Sequence, residues 1–247
     1  MRTKDVVLIT GASSGLGRQF CHALAKEGYS VIAAARRRAL LERLCDEIAR
    51  SGGTAQPLVL DVMDIPAVSE VLDRAEADVG QITCLVNNAG GAISKKAVDM
   101  TPQDFDDVMG LNLKAPYFLC TELARRWMAR GTKGRIVNVG SISDRKAIPG
   151  HTVYGTSKAA IARMTQQLAR EWITKGICVN ALAPGYIRTD INAEFFDSDR
   201  GRALAASFPR KRVGRPEDLD KAIVYLCAPD QGFLTGQVLA LDDGQSL

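Results

Sequence analysis

Tyr154 and Lys158 stand four positions apart in Tyr154-Gly155-Thr156-Ser157-Lys158, inside a segment patterned as a helix, which stacks them on one face. An ammonium beside a phenol favours the phenolate and draws its pKa toward the working range, making Tyr154 a candidate acid or base near neutral pH. Ser141 follows the apolar run Arg135 to Gly140, where its hydroxyl can hold a reacting oxygen if that run is a strand opening on a ligand cleft. Taken singly, the pair reads equally as a helix-surface pair and the serine as a loop residue. Taken together, they describe proton exchange with a carbonyl or alcohol during hydride transfer.

A second cluster has the chemistry of a phosphate cradle. Thr10-Gly11-Ala12-Ser13-Ser14-Gly15-Leu16-Gly17 follows one apolar run and opens an amphipathic segment, so small residues let backbone N–H groups approach a pyrophosphate at a helix start. Glycines alone would also suit a plain tight turn; the flanking strand and helix favour the dinucleotide reading. The next apolar run ends at Ala35 and is followed by Arg36-Arg37-Arg38, with no carboxylate to receive an adenosine ribose. Guanidinium groups there would welcome a 2′-phosphate, which favours NADP(H) over NAD(H), although arginines on a solvated helix start have the same appearance. Asp61, with Val62 beside it, closes a third run where adenine would lie, and reads equally as a helix cap.

These groups need elements to hold them. Strand-length apolar runs fall at Val6 to Thr10, Val31 to Ala35, Gln56 to Leu60, Cys84 to Asn87, Arg135 to Gly140, Cys178 to Ala183 and Val238 to Leu241. Continuous apolarity, without alternation, predicts parallel strands covered on both faces. Helical patterns lie between them at Leu16 to Glu27, Ala39 to Arg50, Ile65 to Val79, Leu111 to Arg130, Val153 to Lys175 and Pro216 to Ala228, and Pro102 and Pro216 fall where first turns begin. The alternation predicts an α/β fold: a single doubly wound Rossmann-type domain over residues 1–247, with a seven-stranded parallel sheet flanked by helices. Residues 187–211 break the rhythm; they read as a substrate lid or as an extra surface helix.

Composition narrows the partners. Hydrophobic residues make up 46% of the 247, which supplies ample core, while the net charge of +4 is dispersed and gives no nucleic-acid footprint. The six cysteines are widely spaced and suit reduced core thiols. With only His22 and His151 and no Cys-x-x-Cys pair, no metal site is expected. The apolar stretch near the amino end is too short for a signal core or membrane span, so no membrane partner is expected and the cytoplasm is the simplest compartment.

The glycine-loop run, Asn87-Asn88-Ala89-Gly90, Asn112, Ser141, Tyr154 to Lys158, and Pro184-Gly185 with Thr189 together resemble the short-chain dehydrogenase/reductase family across essentially the whole chain. The resemblance extends to 3-oxoacyl reductases and to broad ketone or sugar reductases. It implies a catalytic set of Asn112, Ser141, Tyr154 and Lys158, with Lys158 on the nicotinamide ribose and Asn112 holding a relay water. It also implies that Asn88, Ala89 and Gly90 border the riboses, that Pro184 and Gly185 adjoin the cofactor, and that Ile187 and Thr189 meet carboxamide and phosphates. A homotetramer through the two long helices is implied as well. The expected reaction is NADPH-linked reduction of a carbonyl; an NAD-linked dehydrogenase and a nucleotide-binding regulator without turnover are the alternatives.

Two departures stand out. The segment from Ile142 to His151 is more charged than the family's usual stretch, so Arg145, Lys146 or His151 could meet a polar or anionic substrate, or simply face water. Asp242-Asp243-Gly244 replaces a more usual Asp-Gly-Gly. His151, Phe195 and Phe196 are taken with Ser141 and Tyr154 as substrate contacts, and Glu194 as a further lid candidate.

Overall fold

Along the first strand, β1 (Val6–Thr10), side chains alternate between two apolar layers: Val6 and Leu8 join one, Val7 and Ile9 the other. A strand buried on both faces must read as an unbroken apolar run, which is why periodicity is absent from its sequence. The computed structural model describes residues 5–247. In chain order it contains β1, α1 (Gly15–Lys26), β2 (Ser30–Ala35), α2 (Arg38–Arg50), β3 (Thr54–Val59), α3 (Val68–Val79), β4 (Ile82–Asn87), α4 (Pro102–Met109) and α5 (Ala115–Arg130). There follow β5 (Gly134–Val139), α6 (Thr152–Trp172), β6 (Ile177–Pro184), α7 (Ala193–Asp197), α8 (Asp199–Ser207), α9 (Asp220–Cys227) and β7 (Val238–Leu241).

The seven strands pair in parallel in the order β3-β2-β1-β4-β5-β6-β7. Strand order reverses between β1 and β4, and that switch point opens a crevice at the carboxyl ends of the strands. One face is covered by α3, α5 and α6 through Leu72, Leu119, Trp127 and Leu168; the other by α1, α2 and α9 through Phe20, Leu24, Leu41 and Ile223. The doubly wound expectation is met. Cys21, Cys45, Cys84, Cys120 and Cys227 are buried, and Cys178 is half-buried.

Two local expectations change, and a third segment gains detail. β3 starts earlier than the apolar run at Gln56, and most of its residues are exposed, because it is the sheet edge and lacks a neighbour on one side. The helix expected from Leu111 is the second part of a longer rod: α4 begins at a Thr101–Asp104 capping box with Pro102 in the first turn, and a π-helical turn, Gly110–Lys114, joins it to α5. The irregular segment 187–211 carries α7 and α8, and its ends are drawn together by a bridge between Ile187 and Gly214.

Candidate active site

At the end of β1 the chain turns through Gly11, whose φ of +66° few L side chains adopt and whose missing Cβ would fall 2.9 Å from the Ala89 Cα. Gly17 faces the Gly11 carbonyl and the Asn88 amide so closely that no Cβ fits. Asn88 holds this contact by donating from Nδ2 to the Thr10 and Gly11 carbonyls at 2.9 and 3.3 Å. Thr10 Oγ1 accepts from the Asn88 and Ala89 amides, both at 3.0 Å. The loops after β1 and β4 are thereby locked together at the switch point. Gly15 lies against Thr189, the Cβ position being 3.5 Å from its Cγ2.

Arg37 reaches into this loop. Its guanidinium donates to Ser13 Oγ from Nε and Nη2 at 3.2 and 2.8 Å, and to Ser14 Oγ from Nη2 at 2.9 Å. Arg36 is exposed at the end of β2, and Arg38 points along α2 to Glu42 at 3.6 Å. The donor set of small-residue backbone and guanidinium fits a dinucleotide carrying an extra phosphate. Asp61 is exposed, with Oδ1 accepting from the Met63 amide at 3.0 Å, while Val62 is buried in the core. Ile187 is likewise buried, Pro184 ends β6, and Gly185 N donates to Leu241 O at 3.2 Å.

The chemical groups meet at the far side of the same crevice. Lys158 is buried and donates from Nζ to the Val139 carbonyl at 2.8 Å, with the Tyr154 ring centroid 5.7 Å away. Burial brings its pKa down to about 8, because the interior disfavours the charged form. Tyr154 corrects an expectation. Burial pushes its phenol above the ordinary value, opposed by the Ser141 hydroxyl and reinforced by Tyr186, so the anticipated fall produced by Lys158 is not what the fold delivers. The reason is that desolvation of the phenol outweighs the hydrogen bond from Ser141.

Ser141 caps a short 3₁₀ turn, its Oγ accepting from the Ser143 amide at 3.1 Å and donating to Ser143 Oγ at 3.1 Å. Asn112 sits in the π-helical turn, fully buried; Oδ1 accepts from Gly91 N at 2.9 Å, and Nδ2 donates to Gly91 O at 2.9 Å and to Ser157 Oγ at 3.0 Å. Asn112 and Lys158 flank Gly90, whose Cβ position is 3.2 Å from Oδ1 and 3.6 Å from Nζ. A π-turn widens the helix by one residue and re-aims that side chain, which no spacing rule in the sequence reveals.

The substrate-side expectations divide. His151 packs edge-on to Tyr154 with centroids 5.9 Å apart. Phe196 is buried and lies edge-on to Tyr186 at 6.3 Å, whereas Phe195 is 43% exposed and Glu194 is exposed. Arg145 is paired with Asp144 at 2.7 Å and Lys146 donates to the Gln245 carbonyl, so both cations already have partners within the chain. Tyr186 was not expected: it acts electrostatically on the phenol of Tyr154, and its one sequence signal is its place between Gly185 and Ile187.

A doubly wound sheet with a glycine cradle on one side of its switch point and a phenol, hydroxyl and amine on the other defines a nucleotide-binding protein equipped for proton transfer. A family model described as enoyl-(acyl carrier protein) reductase matches residues 11–246. A 3-oxoacyl-(acyl-carrier-protein) reductase of Thermotoga maritima is 36% identical over 97% of this chain and 96% of its own length. Among solved structures, a short-chain type dehydrogenase/reductase from Mycobacterium marinum is 33% identical with a TM-score of 0.92, covering 98% of this chain and 95% of that one. A gluconate 5-dehydrogenase from Burkholderia cenocepacia, in complex with NADP and tartrate, is 30% identical with a TM-score of 0.93 over 99% of this chain and 96% of that one. The chain belongs to the short-chain dehydrogenase/reductase family and is an NAD(P)-dependent oxidoreductase. Among the described residues, no helix is long and apolar enough to cross a membrane.

Proposed function

We propose that the protein reduces a carbonyl to an alcohol with NADP(H), Tyr154 delivering the proton, in one catalytic domain spanning residues 1–247. The observation that carries this reading is the half-buried phenol of Tyr154 set beside the buried amine of Lys158 at the switch-point crevice. A phenol held above its ordinary pKa is protonated at neutral pH, which is the state a donor requires.

When bound, the nicotinamide supplies a hydride for the carbonyl carbon. Ser141 Oγ holds the carbonyl oxygen, and the Tyr154 O–H proton passes to that oxygen as the alcohol forms. Lys158 then stabilises the phenolate by charge attraction, and the proton is restored from solvent along the Asn112–Lys158 side of the cleft. Gly11, Ser13, Ser14, Gly15, Leu16 and Gly17 hold the pyrophosphate side. Arg37, assisted by Arg36, takes the 2′-phosphate, and Asp61 with Val62 borders adenine. Asn88, Ala89 and Gly90 border the riboses; Pro184, Gly185, Ile187 and Thr189 close over the nicotinamide end. His151 and Phe196 face the substrate under a lid formed by 187–211, with Phe195 at its margin.

The substrate is a 3-oxoacyl thioester, a ketone or a sugar-type carbonyl; the names of the 3-oxoacyl reductase and gluconate 5-dehydrogenase relatives support the first and the last. The protein works in the cytoplasm as a homotetramer built on α5 and α6. NADPH absorbance followed across a panel of those three carbonyl classes tests the reading: oxidation with at least one is expected. NADPH binding without turnover of any would favour a nucleotide-binding regulator, and a preference for NADH would overturn the cofactor assignment.

A further inference from the structure

The terminal turn that departs from Asp-Gly-Gly holds Asp243 at a φ of +55°, a conformation glycine adopts freely and most L side chains avoid. Its carboxylate accepts from Arg212 Nε at 2.7 Å and faces Arg210 Nη1 at 3.2 Å. Both arginines lie where the chain leaves α8, on either side of Lys211, itself at a φ of +52°. The same turn also grips the other end of the segment: Gln245 Oε1 accepts from the Tyr186 amide at 2.6 Å, so closely that Gly185 has no room for a Cβ. The Tyr186 ring stacks on Phe208 with centroids 5.2 Å apart, and Lys146, from the loop after Ser141, donates to the Gln245 carbonyl.

We propose that the C-terminal turn is a clasp that holds residues 187–211 over the cleft, with Asp243 as the positioning residue that closes it. A glycine at 243 would relieve the backbone but would remove this ionic tie, leaving the exit to the Ile187–Gly214 bridge, the Phe208 stack and the Arg212–Asp218 pair at 3.6 Å. The chain therefore carries a left-handed aspartate in exchange for an ionic tie between its terminus and Arg210 and Arg212. This assignment rests on the proposed reading of 187–211 as a substrate lid.

The test uses the full-length protein with Asp243→Gly, which removes both tie and backbone cost, and Asp243→Asn, which tolerates the left-handed conformation but lacks the charge. Both variants should raise KM for the active carbonyl about fivefold while kcat stays within about twofold. Raising NaCl toward about 1 M should lift the KM of the unmodified protein toward theirs and leave theirs level, since salt screens exposed pairs. Trypsin should cut at Arg210, Lys211 and Arg212 several-fold faster in both variants, with no fall in the melting temperature of the glycine variant. Cutting at the native rate in both overturns the clasp; faster cutting with unchanged KM overturns the role of Asp243 in positioning the lid for substrate. If no carbonyl is turned over, the proposed function fails, yet the proteolysis still decides the clasp.

Discussion

Lys158 Nζ is fastened to the carbonyl of Val139, the last residue of β5, at 2.8 Å. The amine thus belongs as much to the sheet as to α6, and the phenol beside it is governed first by burial. Under the proposed mechanism, that arrangement keeps the phenol protonated before reaction and reserves the charge attraction for the phenolate that follows.

Tyr154→Phe keeps the ring and removes the proton. The turnover number should fall about a hundred- to ten-thousand-fold, the range for loss of a general acid, while NADPH affinity is retained. Steady-state kinetics beside a fluorescence titration of NADPH checks this; unchanged turnover removes Tyr154 from the reaction.

Lys158 should leave a signature in stability against pH. Its pKa is about 8 in the folded chain against 10.5 for the free group, so the folded state carries a cost of about 3 kcal/mol wherever both states are protonated. Below pH 8 the whole cost is present. Between pH 8 and 10.5 the unfolded chain binds more protons, and stability rises as the cost is lifted. Urea unfolding of the cofactor-free protein and of Lys158→Met should show their stability difference shifting in favour of the native chain across that window; a difference flat with pH contradicts the burial of this amine.

Cofactor choice should follow Arg37 more than Arg36, because Arg37 is the guanidinium already seated on Ser13 and Ser14. Arg37→Asp should weaken NADPH binding about thirtyfold, equivalent to one charge-assisted contact of about 2 kcal/mol, and leave NADH little changed. Titrations with both nucleotides decide it, and equal losses for the two would assign Arg37 to the loop's structure alone.

Gly17→Ala places a methyl against the Gly11 carbonyl and the Asn88 amide, so the loops after β1 and β4 must part. A stability loss of about 2 kcal/mol is expected, with NADPH binding weakened. Equilibrium unfolding measures the first and calorimetry the second; native values in both would show that the contact yields without cost.

Much of the fold was legible because a doubly wound sheet writes itself as apolar runs between amphipathic segments, and the glycine loop, Ser141, Tyr154 and Lys158 stand at joints of that pattern. The edge strand β3 was displaced in register because its residues lack the double burial that marks the other runs. Asn112 had no local signal: its usefulness comes from a π-turn that arises only when α4 and α5 are joined into one rod. Tyr186 was hidden for a similar reason, since its partners Phe208 and Gln245 are distant in the chain.

Residue types and their order determined which groups could exchange a proton, cradle a phosphate pair and recognise a further phosphate. Only the tertiary structure decided the direction in which Tyr154 shifts, which arginine meets the serines, and what the terminal aspartate holds. Those outcomes depend on how much water each group loses and which distant atoms replace it, and neither quantity exists until the sheet has closed around its helices.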